Sequence, residues 1–251
     1  MIDIHAHILP GVDDGSDSLE SSLAMARLAV KSGVHAIIVT PHCNLPDVPD
    51  GKGLNADDVS EHTAALTHAL VREGIDLRLF PGMEIFGTMH TAQRLRSGML
   101  CPLAVSRYPL IEFPFSNFAD EATEILDSVL RLGLRPIVAH PERYRYIQLH
   151  PQLLNLWTDM GCLLQVNRGS LLGRFGEREE ALGHALIERG FATFVASDAH
   201  SPVVRTTWMR DVQALLTEEY SEETAHALLE ENPTRVLRNL EIELPGPDWF
   251  D

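Results

Sequence analysis

Short apolar runs recur along this chain, and between them lie stretches with apolar residues at every third or fourth position. That alternation predicts strands interleaved with helices. Ile2–His5 reads as a short buried strand running straight into His5-Ala6-His7. Asp17 or Ser18 caps a helix to about Ser32, with Leu19, Leu23, Ala26 and Val30 on one face and Gly33 closing it. His35–Thr40 is a buried strand ending at Pro41-His42, and residues 43–55 read as a Pro/Gly/Asp-rich loop. A helix from about Ala56 to Glu73 leads to strand Leu77–Phe80, which ends at Pro81-Gly82-Met83-Glu84. Strand Tyr108–Phe113 carries Glu112. Helix 119–132 leads to strand 135–139 and His140, a helix around 151–160 to strand 163–167, and helix 177–189 to strand 192–197 and Asp198-Ala199-His200. The tail 205–239 is expected to be helical, with Asn232-Pro233 as a helix start.

Seven strands alternating with helices predict a parallel α/β barrel. His5, His7, His42, Glu84, Glu112, His140, Asp198 and His200 all fall within or just after the carboxyl ends of these strands. In a barrel those ends converge on one face, where the active site sits. Residues far apart in sequence are thereby expected to meet.

Composition narrows the partners. The chain has 251 residues, a length that one barrel domain (1–251) accounts for, and 45% hydrophobic with 22% charged residues is ordinary for a globular protein. A net charge of −16 argues against nucleic-acid or anionic-membrane surfaces. Met1-Ile2-Asp3 shows no secretory leader, no apolar run reaches a membrane span, and three scattered cysteines predict a reduced, cytoplasmic setting.

Imidazole suits Zn, Mn and Fe, while carboxylates suit harder ions and bridge pairs of them. A His/Asp/Glu set without thiolates therefore points to a hydrolytic metal site. A lone histidine is ordinarily a surface or core residue, and His35, His62, His68, His90, His150 and His184 are read that way. Cys101 to Arg107 and Cys162 to Arg168 match the bare spacing of cysteine phosphatases. Neither has a glycine among the intervening residues to form a phosphate cradle, so both are read as coincidence.

In order and spacing, MIDIHAHILPGVDDG, TPHCN, PGMEI, IVAHPERY, QVNRGSL and SDAHSPVVR resemble the PHP (polymerase and histidinol phosphatase) superfamily. Within it they resemble the bacterial capsule and exopolysaccharide tyrosine phosphatases of the CpsB/CapC/YwqE type, over nearly the whole chain. The resemblance implies a distorted (β/α)7 barrel with C-terminal helices and three divalent ions, manganese first, with iron or zinc as alternatives. Carried over, His5, His7, Glu84 and Asp198 hold one ion; Glu84, Glu112 and His140 a second, with Glu84 bridging; Asp14, His42 and His200 the third. Arg143 and Arg205 match substrate-binding positions and suit bidentate grip of phosphate. Asn167 and Ser170 are expected to line the pocket. The implied substrate is the phosphotyrosine tail of a cytoplasmic tyrosine kinase that regulates polysaccharide assembly, a polysaccharide co-polymerase partner. Two departures stand out: Ala6 replaces a common cysteine, and Cys43 replaces a common histidine.

The expected reaction is attack on phosphorus by a metal-bridging hydroxide, without a phospho-enzyme. Histidinol phosphate or a sugar phosphate is the nearest alternative substrate. A metal-dependent amidohydrolase and a non-catalytic kinase-tail binder are more distant readings. The oligomeric state stays open, a homo-oligomer included.

Overall fold

The computed structural model of the chain describes residues 1–46, 53–116, 118–243 and 246–250. Its strands are β1 (Ile2–Ala6), β2 (Ala36–Val39), β3 (His42–Cys43), β4 (Arg78–Phe80), β5 (Glu84–Phe86), β6 (Leu110–Glu112), β7 (Ile137–Ala139), β8 (Leu163–Asn167) and β9 (Ala192–Ala196). The α-helices are α1 (Leu19–Ser32), α2 (Ala56–Arg72), α3 (Thr91–Arg96), α4 (Ala119–Leu130), α5 (Arg145–Leu149), α6 (Gln152–Asp159), α7 (Arg168–Leu171), α8 (Glu177–Glu188), α9 (Arg210–Glu219), α10 (Glu222–His226) and α11 (Asn232–Leu237).

Every ladder is parallel. One sheet runs β1-β2-β4 and the other β3-β5-β6-β7-β8-β9. Two of the expected strands are thus interrupted. Pro41 has no N–H and separates β2 from β3, and Pro81-Gly82-Met83 separates β4 from β5. Counting β2 with β3 and β4 with β5 as single staves gives seven. The ring closes where the end of β1 meets the chain after β9: Asp198 N–H donates to His5 O at 2.9 Å, and His7 N–H to Ala199 O at 2.8 Å. Thr40 locks β1 to β2, its hydroxyl accepting from Ala6 N–H and its own N–H donating to Ala6 O.

Strand residues alternate between two apolar clusters. Ile2, Ile4, Ala36, Ile38, Leu110, Ile137, Leu163 and Phe194 fill the barrel interior. Ile37, Val39, Ile111, Val138, Leu164 and Val195 pack outward against the helices. The parity that places Leu110 inside also places Glu112 inside. Likewise Leu163 is followed inward by Gln165 and Asn167, and Phe194 by Asp198. The barrel is oily at its base and polar at its carboxyl end.

Helix boundaries follow their caps. Ser18 accepts from Ser21 N–H at the start of α1, and Gly33, at φ 95°, ends it. Asn55 and Asp58 form a reciprocal capping box on α2. The α1 stripe is rotated from expectation. Ser22, Met25, Ala26 and Ala29 are buried, whereas Leu19 and Val30 are 41% and 38% exposed. Small side chains let this helix lie close to its neighbours, and Thr207 Oγ1–H donates to Met25 O at 2.6 Å.

The tail also differs. Residues 205–209 are not helical, while α11 does begin at Asn232-Pro233, directly after a π turn. Residues 222–237 wind continuously through α10, a π turn at Ala227–Glu231, and α11. A π turn ahead of the proline accommodates its missing N–H without ending the helix. Of the expected loop 43–55, residues 47–52 lie outside the described residues.

Candidate metal centre

All nine expected ligands converge at the carboxyl end of the barrel. His5 Nε2 and His7 Nε2 lie 3.3 Å apart. They sit 3.2 and 3.1 Å from Glu84 Oε2, and each is 3.5 Å from Asp198 Oδ1. His140 Nε2 is 3.0 Å from Glu84 Oε1 and 3.6 Å from Glu112 Oε1. His42 turns Nδ1 toward Glu84, at 3.1 Å, and Nε2 toward Asp14, at 3.4 Å. His200 Nε2 lies 3.5 Å from the same Asp14 oxygen. Four overlapping donor groups result: His7/Asp14/His42/His200, His5/His7/Glu84, His5/His140/Asp198 and His42/Glu84/Glu112. The other six histidines weighed from sequence stand outside all four.

The donor set fits divalent cations. Buried imidazole nitrogens and carboxylate oxygens crowd together here. Glu84 Oε2 and His42 Nδ1 are buried without a hydrogen-bond partner among the described residues. The tautomers agree as well. His5 Nδ1–H donates to Gln165 Oε1 at 2.9 Å, His7 Nδ1–H to Asp13 Oδ2 at 2.7 Å, and His200 Nδ1–H to Asp198 O at 3.1 Å. In the neutral form each ring, with Nδ1 carrying the proton, would turn an unprotonated Nε2 toward the centre.

Electrostatics point the same way. Burial pushes His140 and His200 down to about 4, so both are neutral donors at pH 7. Burial opposes charge on Glu84 and Asp198 too, yet the surrounding histidines hold both carboxyls well below their ordinary range. Glu112 is pushed up to about 8 by burial and by Glu84. His7 goes the other way. Burial opposes its protonation, but hydrogen bonds to Asp13, Asp198 and Glu84 outweigh that and raise it. The negative potential that holds this proton is the one a cation would satisfy.

A layer behind the donors was not legible from sequence. Gln165 Nε2–H donates to Asn167 Oδ1, and Asn167 Nδ2–H donates to Asp198 Oδ2 at 2.6 Å. Asp13 accepts from His7, from His42 N–H at 3.0 Å and from Gly15 N–H at 3.0 Å. Glu142 is fully buried and accepts from Asn167 N–H and Ser170 Oγ–H. Burial pushes its carboxyl up to about 7. Neither Asn167 nor Ser170 lines the two cavities at the site; Asn167 braces Asp198 and Ser170 braces Glu142 from beneath. The usable signal was period two: Gln165 and Asn167 share the face of a strand that ends beside Asp198.

Three non-glycine site residues take left-handed backbone: His140 at φ 32°, Asp198 at 50° and Arg205 at 45°. Such strain of about 1–3 kcal/mol per residue persists where the surroundings over-determine it, and that is common at functional sites. Arg143 and Arg205 both reach Asp198 Oδ2, Arg143 Nη1 at 3.4 Å. Together with Phe115 they and seven of the donors line one cavity of about 130 Å³. Asp14, His42, Glu112 and Phe115 also border a second cavity of about 440 Å³, whose other walls include Val12, Leu45, Phe86 and Pro114. The cysteines are elsewhere. Burial raises Cys101 to about 11 and Cys162 to about 12, which disfavours the thiolate a cysteine phosphatase needs.

The family model for capsular polysaccharide synthesis proteins, CpsB/CapC, matches residues 1–238. The chain belongs to the CpsB/CapC family. The tyrosine-protein phosphatase YwqE of Bacillus subtilis is 37% identical over 96% of this chain and 93% of its own length. The tyrosine-protein phosphatase CpsB of Streptococcus pneumoniae is 30% identical over 94% of this chain and 98% of its own. A crystal structure from work on these two proteins, described as unique metal-dependent tyrosine phosphatases, superposes with a TM-score of 0.93 at 36% identity, covering 100% of both chains. Within this CpsB/CapC chain the two departures are harmless to the donor set. Ala6 and Cys43 are both buried in the outer apolar cluster, away from the converging ligand atoms.

Proposed function

We propose that this chain is a metal-dependent tyrosine-protein phosphatase. Its substrate is the phosphotyrosine tail of a cytoplasmic tyrosine kinase that regulates polysaccharide assembly. The observation that carries the reading is the shared cavity: two guanidiniums and the His/Asp/Glu donors face one space, with an apolar cavity beside it. A phosphoryl group suits the first, and an aromatic ring suits the second.

His5, His7, Asp14, His42, Glu84, Glu112, His140, Asp198 and His200 would hold three divalent ions, manganese first. When bound, these would supply an activated water and Lewis acidity for phosphoryl transfer. Arg143 and Arg205 bind the phosphoryl oxygens and stabilise charge that grows on them in the transition state. Glu84, approached by His5, His7, His42 and His140, would hold more than one of the ions. The tyrosyl oxygen departs with a pKa near 10, so it needs less protonation than an alkoxide. No described helix is long and apolar enough to cross a membrane, and Cys43, Cys101 and Cys162 are free thiols. The free thiols support a reduced, cytoplasmic setting, and the closed ring of seven staves supports residues 1–251 as one unit.

The test is phosphate release by protein loaded separately with Mn, Fe or Zn. A phosphotyrosyl peptide should be turned over faster than a phosphoseryl peptide or histidinol phosphate. Preference for histidinol phosphate overturns the substrate assignment, and activity that survives chelation overturns the metal requirement.

A further inference from the structure

Phe175 lies in the loop between α7 and α8, outside the donor set. Its ring face is 4.6 Å from the guanidinium carbon of Arg143, and the ring of Phe115 lies 4.7 Å from the same carbon. The Arg143 guanidinium carbon therefore lies over two aromatic rings at once. The guanidinium carbon of Arg205 is 5.8 Å from Phe175 as well. One side chain thus touches both arginines that face the phosphoryl cavity.

The backbone is built to put the ring there. A Cβ on Gly169 would lie 2.6 Å from Phe175 Cε2 and 2.9 Å from its Cζ, so the ring rests where only glycine leaves room. The loop is bracketed by Gly173 at φ 66° and Gly176 at φ 129°, conformations that favour glycine. On the flank, Asp211 ties down Arg168 at 2.7 and 2.5 Å and Arg174 at 3.5 Å.

Stacking has a chemical consequence. A guanidinium binds aromatic rings through its face and oxyanions through its edge. Two rings against one guanidinium carbon restrict a long, flexible side chain near the cavity. The only described hydrogen bond from the Arg143 side chain is the 3.4 Å contact to Asp198, too long to fix it alone. We propose that Phe175 is a positioning residue that orders Arg143 and Arg205 for phosphoryl binding. This rests on reading those arginines as the phosphoryl-binding pair.

The test uses the full-length manganese-loaded protein and inorganic phosphate as the probe, with affinity read by calorimetry. Phe175→Leu keeps apolar bulk but removes the π face, and should weaken phosphate about 5- to 20-fold, the scale of a desolvated cation–π contact. Phe175→Tyr should stay within about twofold. In an Arg143→Ala/Arg205→Ala background, Phe175→Leu should change phosphate affinity no further, whereas a merely structural role would persist there. Equal phosphate affinity in wild type and Phe175→Leu overturns the proposal, as does an unchanged effect of Phe175→Leu without the arginines. If Phe175→Leu loses its fold, Phe115→Leu, which removes the other ring from Arg143, replaces it in the same cycle with the same criteria. Absent peptide turnover in a wild-type protein that still binds phosphate overturns the phosphatase reading and leaves this inference standing.

Discussion

His7 can offer Nε2 to the centre because Asp13 takes its Nδ1–H at 2.7 Å. Asp13→Asn keeps the shape but replaces a carboxylate acceptor with an amide, so metal affinity should fall about 10- to 100-fold. Metal titration followed by calorimetry checks this, and unchanged affinity would show that Asp13 is dispensable. His140 turns a neutral ring toward Glu84 and Glu112, and as a direct ligand of the proposed centre its replacement, His140→Ala, should remove at least about a hundredfold of activity on a phosphotyrosyl peptide. Cys101→Ser and Cys162→Ser should retain activity, since both thiols are raised by burial. A cysteine variant that is folded but inactive, beside an active His140→Ala, would reverse the assignment. Eight of the nine donor residues were legible because each sits at or just past a strand end, while Asp14, in the loop after β1, was placed only by the resemblance. Asp13 and Glu142 were not legible, because nothing local distinguishes an acid that supports a ligand from one that faces water.

At the scale of elements, a few glycines and prolines decide where the donors stand. A Cβ on Gly15 would lie 2.3 Å from both Cβ and O of His7. The loop carrying Asp13 and Asp14 therefore fits against β1 only with glycine at that point. Gly15→Ala should push the loop outward, weaken metal binding and lower the melting temperature by several degrees. A variant with wild-type metal affinity would show that the loop adapts. The strand reading from sequence located all seven staves but not the breaks in two of them. Pro41 and Pro81 were visible, yet whether the ladder resumes beyond a proline depends on partner strands, which local pattern does not encode. The same limit explains why Asn232-Pro233 was legible as the start of α11 but the π turn that joins it to α10 was not.

For the whole molecule, stability rests on two apolar layers and a charged site above them. Trp157 is fully buried and donates Nε1–H to Thr123 Oγ1 at 2.9 Å. Trp157→Ala should cost about 3–5 kcal/mol, or roughly 6–15 °C in melting temperature at this chain length. Calorimetry showing a shift under about 2 °C would contradict that packing role. The metal site should add to stability from the other end of the barrel. Cations at about a hundred times their dissociation constant should add about 2.7 kcal/mol. Chelation should then lower the melting temperature by roughly 5–10 °C, and an unchanged melting curve would argue against cations binding the native state.

The sequence by itself determined the strand–helix alternation, the polar ends of the strands and the chemical identity of the donors. Period two, period 3.6 and the end of an apolar run are local properties, and HAH, DAH and HPER sit where those runs stop. Only the tertiary structure decided which donors share an oxygen, which tautomer each imidazole takes and which ring covers each arginine. Those depend on distances between residues from different strands and loops. Closing the barrel between His5 and Asp198, 193 positions apart in the numbering, fixes such distances in a way no local pattern can.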